Sequence, residues 1–70
     1  MPKHPRLTGA ELVDLLITKG FTIVRVKGSH HRLYHPDGRV TTVPLHRREI
    51  IGPGLLKQIM RDTKLDLNDL

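Results

Sequence analysis

There is no cysteine among the 70 residues of this chain. That excludes a disulfide framework and thiolate metal sites, and it fits a reducing compartment. Aromatic residues are almost missing: one phenylalanine, one tyrosine and no tryptophan. Reading splayed bases by stacking asks for more of them, so the chain is poorly equipped for sequence-specific readout. No apolar run approaches the ~20 residues that span a bilayer. Nor does an apolar stretch long enough for a signal peptide follow Met1-Pro2-Lys3-His4-Pro5-Arg6. The expectation is a soluble cytoplasmic protein. Carboxylates are scarce, seven against twelve Lys and Arg, for a net charge of +5. No acidic pair suggests two-metal chemistry; Asp37 reads as a turn residue, and Glu49 and Asp62 read as solvated. No phosphate-binding glycine loop or dinucleotide fingerprint occurs. The excess of cations points to a polyanionic partner, RNA or DNA first, against the plainer reading of a solubilising surface.

The length allows one domain over residues 1–70. A chain this short buries roughly 60% of its unfolded surface, so modest stability is expected. Residues 1–7 read as a loose lead-in. Thr8-Gly9-Ala10-Glu11 has capping-box spacing, and Leu12, Val13, Leu15, Leu16 and Ile17 behind it form an apolar stripe at helical period. Gly20 ends that helix. Phe21 to Val26 is rich in β-branched residues and reads as a strand, though its imperfect alternation leaves open which side faces inward. Lys27-Gly28-Ser29 is turn material, and residues 30–35 return antiparallel. Their alternation puts His30, Arg32 and Tyr34 on one face and His31, Leu33 and His35 on the other. Pro36-Asp37-Gly38 predicts a reverse turn, and Arg39 to Val43 a third strand closed by Pro44. After the basic connector Leu45 to Gly52, Pro53 opens a second helix with Leu55, Leu56, Ile59 and Met60 on one side and Lys57, Gln58, Arg61 and Asp62 pointing away. Residues 64–70 read as either a short extra helix or a frayed tail. The predicted class is α+β, a two-layer α-β-β-β-α arrangement with a three-stranded antiparallel sheet and both helices on one face.

Histidine takes and gives protons near neutral pH, so the segment Val26 to His35 holds whatever proton-transfer equipment the chain has. His30 and His31 are adjacent on a strand and point to opposite sides. If Leu33 faces the helices, His30 shares the open face with Arg32, and His31 orients its neighbour or is a semi-buried imidazole. A metal site built from His30, His31, His35 and His46 is the rival reading; adjacent strand residues diverge, and no cysteine or carboxylate helps. Arg25, Lys27, Arg32, Arg39, Arg47, Arg48 and Lys57 are candidates for a phosphate track, with Gly28 and Ser29 in the turn and Tyr34 as the outward aromatic. Ser29 is in the turn for backbone reasons rather than as a nucleophile.

Lys27-Gly28-Ser29-His30-His31, His35-Pro36-Asp37-Gly38, Thr42-Val43-Pro44 and His46 together resemble the HicA family of bacterial toxins, small messenger-RNA interferases encoded beside a HicB antitoxin. The resemblance covers roughly residues 8–65. It implies a fold like that of double-stranded-RNA-binding domains, metal-independent endoribonuclease activity with no cofactor, and one essential histidine in the Gly-Ser-His motif. By position that histidine is His30, with His31 the second choice and Gly28 holding the turn. It also implies two partners, messenger RNA and a HicB-like antitoxin, and no membrane. A longer lead-in through Arg6, and Leu55 where many members carry threonine, depart from the family pattern. A noncatalytic RNA-binding module on the same fold is the alternative reading, and a basic face for an acidic protein partner is a third.

Overall fold

The computed structural model describes residues 6–66 and Asn68. Its order is α1 (Gly9–Thr18), β1 (Thr22–Lys27), β2 (His30–Tyr34), β3 (Val40–Pro44) and α2 (Pro53–Thr63). The strands form one antiparallel sheet in the order β1-β2-β3. Both helices lie on the face to which Leu33 and Val43 point. The core joins Leu12 and Leu16 of α1, Phe21, Leu33, Val43, and Leu56 and Ile59 of α2. Among the described residues no helix lies over the other face, which is the two-layer α+β architecture of double-stranded-RNA-binding domains.

The capping box forms as the sequence predicts. Glu11 N–H donates to the Thr8 hydroxyl at 3.2 Å, and Thr8 N–H donates to the Glu11 carboxylate at 2.9 Å. Two of the helix-start donors are thereby satisfied. Gly9 has no Cβ because one would collide with the Pro44 carbonyl, so α1 rests directly on the end of β3. Two members of the expected apolar stripes lie outside the core: Ile17 is 46% and Leu55 39% exposed. Thr63 is buried in their place, its hydroxyl donating to the Ile59 carbonyl at 2.8 Å within its own helix. Leu7, expected in a loose lead-in, packs against the core, and its carbonyl accepts Ile51 N–H at 2.7 Å. Of the other lead-in residues, 1–5 lie outside the described residues, as do Leu67, Asp69 and Leu70 of the tail. Lys64 adopts a left-handed conformation that closes α2, and Leu65 returns to the core.

The His-Pro-Asp-Gly turn buttresses the far end of the sheet. His35 N–H donates to the Arg39 carbonyl and Gly38 N–H to the His35 carbonyl, each at 2.8 Å. The His35 ring meets Phe21 edge-on at 5.1 Å between centroids. Gly20 has φ +98°, and a Cβ there would come within 2.9 Å of His35 Nε2, so only glycine fits.

Candidate functional site

The site begins with a two-residue turn. Lys27 pairs with His30, leaving Gly28 and Ser29 as the loop. Gly28 has φ +59° while Ser29 is not in the left-handed region, the pattern of a type II′ turn with glycine at its first corner. The twist of that turn matches the strands it joins, so it sets the register of the hairpin. The Ser29 carbonyl accepts Leu45 N–H at 2.6 Å, which ties the turn to the chain leaving β3.

Cross-strand neighbours then follow from register. His30 lies between Lys27 and Pro44, and Arg32 lies between Arg25 and Thr42. Directly opposed side chains have Cβ atoms ~5 Å apart. Since Leu33, Thr41 and Val43 are buried under the helices, these residues point to the uncovered face. His30 and Arg32 are exposed. The register is irregular between Ile23 and Arg25. Ile23 pairs with inward Leu33 and Arg25 with outward Arg32, so Val24 is an extra residue that turns Ile23 to the helix side while Arg25 and Lys27 keep the outward face that the hairpin register gives them. Were the pairing regular through Val24, Ile23 and Arg25 would share a face.

The electrostatics of this face are one-sided. Two arginines directly opposite one another repel, and no Asp or Glu stands among the outward residues of the three strands. Among the described residues, Asp37 forms an ion pair with Arg39, and the His35 ring 3.0 Å from it adds a second only if protonated. Arg25, Lys27 and Arg32 have no ion-pair partner among the described residues, and the Arg32 guanidinium makes one long hydrogen bond, 3.5 Å, to the Thr42 hydroxyl. Tyr34, 43% exposed, ends the row on β2. The arrangement is suited to hold an anion beside an accessible imidazole.

Other candidates lie elsewhere. His31 is half-buried on the helix side, its Nδ1 3.2 Å from the Ser29 carbonyl. A hydrogen on Nδ1 donates to that carbonyl, which fixes the ring against the turn that presents His30. His35 is ~16 Å along the strand from His30. Among the described residues no three His, Asp or Glu side chains come together as a metal-binding set. Arg39 does not join the cationic face. Its Nε lies 2.9 and 3.1 Å from the two Asp37 carboxylate oxygens, a terminal nitrogen donates to the Thr63 carbonyl, and the guanidinium sits over the Phe21 ring. That guanidinium also holds the Asp37 carboxyl below its ordinary pKa. Arg47, Arg48 and Lys57 are exposed, the arginines in the connector before α2.

Three residues of α2 that the sequence reading sent to solvent or core border the site instead. A groove of about 470 Å³ runs along the β3 edge, with His30, Arg32 and Thr42 on one side and Leu55, Gln58 and Asp62 on the other. Asp62 is half-buried. Its carboxylate accepts from the Thr41 hydroxyl at 3.1 Å and from the Gln58 amide at 3.0 Å. The spacing of 55, 58 and 62 along one helical stripe was the available signal.

A family described as HicA toxin of bacterial toxin-antitoxin matches residues 9–65. The chain belongs to it. The match runs from the first residue of α1 to just beyond α2, so the Gly-Ser-His turn and the groove both fall inside it. A HicA chain is the toxin of a toxin-antitoxin pair, which implies an antitoxin as partner. Comparison with curated proteins gives no match. Among the described residues no helix is long and apolar enough to cross a membrane.

Proposed function

We propose that this HicA toxin is a metal-independent endoribonuclease that cleaves messenger RNA in the cytoplasm, with His30 as the proton-transfer residue. The observation that carries the reading is the placement of an exposed imidazole on the uncovered sheet face, opposite Lys27 and next to the facing pair Arg25 and Arg32. A ribose-phosphate strand laid across that face puts a phosphate against the three cations. His30 takes the proton of the 2′-hydroxyl as the 2′-oxygen attacks phosphorus, or gives one to the departing 5′-oxygen. Arg25, Lys27 and Arg32 stabilise the charge that builds on the phosphoryl oxygens. The P–O5′ bond breaks as the P–O2′ bond forms, so the products are a 2′,3′-cyclic phosphate and a 5′-hydroxyl end. Gly28 and Ser29 set the hairpin that presents His30. His31 acts through the turn as a positioning residue, and Tyr34 extends the RNA-binding row. A HicB-like antitoxin with an acidic surface covers this face in the resting pair, where complementary charge speeds association.

The test is cleavage of RNA in excess EDTA by the wild-type chain and by His30→Ala. Removing a positioned proton-transfer group costs ~10²–10⁴-fold in rate. Undiminished cleavage by the variant defeats the assignment to His30. Salt-sensitive binding with no cleavage by either protein leaves a noncatalytic RNA-binding module.

A further inference from the structure

We infer that the groove along the β3 edge is a guanine-selecting subsite, in which Asp62, held by Thr41 and Gln58, reads the base of a nucleotide adjoining the one at His30. The inference rests on the ribonuclease reading above and extends it to substrate choice.

The groove has the volume of a small-molecule site, about 470 Å³, within the usual range of ~300–1,000 Å³. It opens beside His30 and Arg32, so a strand whose phosphate lies at those residues can drop a neighbouring base into it. Its α2 wall offers acceptors. Gln58 commits an amide hydrogen to one carboxylate oxygen of Asp62, and the Thr41 hydroxyl donates to the other. Both bonds fix the plane of the carboxylate before any ligand arrives, and each oxygen keeps a further lone pair. The Gln58 amide nitrogen, turned to Asp62, keeps a second hydrogen, and its carbonyl oxygen accepts.

The Asp62 carboxylate only accepts, so it selects for adjacent N–H donors. Guanine carries two, N1–H and the N2 amino group, spaced to meet a carboxylate in parallel, and such charge-assisted pairs are the stronger hydrogen bonds. Cytosine and adenine set their amino group beside a ring nitrogen that is itself an acceptor, and uracil sets its N–H between two carbonyls. Each of these turns a lone pair toward the Asp62 carboxylate. Leu55, 39% exposed beside the groove, gives the base an apolar surface that needs no aromatic ring. Scarcity of aromatics therefore does not exclude base readout in this chain.

The test uses four nine-nucleotide RNAs, a uridine tract with G, A, C or U at the centre. Their 2′-O-methyl forms lack the attacking hydroxyl and report binding by fluorescence anisotropy; the unmodified forms report cleavage positions. The expected result is about tenfold tighter binding of the guanine strand than the all-uridine strand, as for one bidentate base contact, with cleavage focused next to guanine. Asp62→Asn puts an amide hydrogen beside the base and should bring the four affinities within about twofold. Gln58→Ala, at an exposed position, should reduce the preference and covers the case in which the Asp62 variant does not fold. Equal binding of all four strands by the wild-type chain, or a guanine preference unchanged in a folded Asp62→Asn, overturns the subsite. An Asp62-dependent guanine preference without cleavage of any strand sustains the subsite and sinks the nuclease reading instead.

Discussion

Substituting Leu33 by alanine tests the strand parity on which the placement of His30 depends. Leu33 is fully buried at the centre of β2, and its neighbour Arg32 is exposed on the opposite face. Leu33→Ala removes three carbons from the interior, ~2.4 kcal/mol at ~0.8 kcal/mol per methylene. The unfilled cavity raises the total to ~3–4 kcal/mol. A domain of this size has ~4–10 kcal/mol of stability in all, so the loss takes a third or more of it. With a urea dependence of ~1 kcal/mol per molar, the midpoint falls by ~3 M, and the variant is partly unfolded at rest if wild-type stability is low. Arg32→Ala, by contrast, should stay within ~0.5 kcal/mol, or gain slightly, because it relieves repulsion from Arg25. Urea titrations of both variants, followed by far-ultraviolet circular dichroism, compare them directly. Near-unchanged stability of Leu33→Ala together with a loss above ~1.5 kcal/mol for Arg32→Ala would refute the reasoning. It would place His30 under the helices.

Four further outcomes are expected. Gly28→Val forces a β-branched side chain into positive φ, costing at least ~1–2 kcal/mol, and should slow RNA cleavage further by disturbing the turn before His30; melting and cleavage assays read the two effects. Gly9→Ala should lower the melting temperature by ~4–8 °C per kcal/mol lost, since its methyl meets the Pro44 carbonyl. His31→Asn, whose amide can still donate to the Ser29 carbonyl, should keep most of the cleavage that His30→Asn loses, as initial rates at saturating RNA will show. Asp37 has its pKa lowered from 3.8, chiefly by the Arg39 hydrogen bond, so its contribution to stability is present above that value and lost as pH falls through the folded-state pKa. Asp37→Asn should therefore melt below wild type at neutral pH, with the gap closing under acid.

Much of the framework was legible because its causes are local. The Thr8–Glu11 capping box, the stop at Gly20, the Gly28-Ser29 turn and the Pro36-Asp37-Gly38 turn each depend on the conformational preferences of a few adjacent residues. Helical period located Leu12, Leu16, Leu56 and Ile59 in the interior, whereas alternation grouped Leu33 with His31 and left the packing to choose the buried face. Alternation also set His30 and His31 on opposite sides of a strand. Packing across the sheet was less legible. Ile17 and Leu55 have core-like chemistry but sit where no second layer reaches them, and Thr63 is buried because its hydroxyl is satisfied within its own helix turn.

The residues alone thus determined the order of elements, the turn that carries His30 and the family to which the chain belongs, since each follows from contacts within a few positions. Tertiary structure decided which cations share the imidazole's face. Pairing with Arg32 and His30 sets Arg25 and Lys27 outward, the extra residue at Val24 returns Ile23 to the helix side, and Asp37 and Phe21 hold Arg39 at the far end of the sheet. It also brought Gln58 and Asp62, remote in sequence, to the groove beside His30. No local pattern announces a bulge or a helix edge reaching past a strand, because both depend on how distant segments fill the same space.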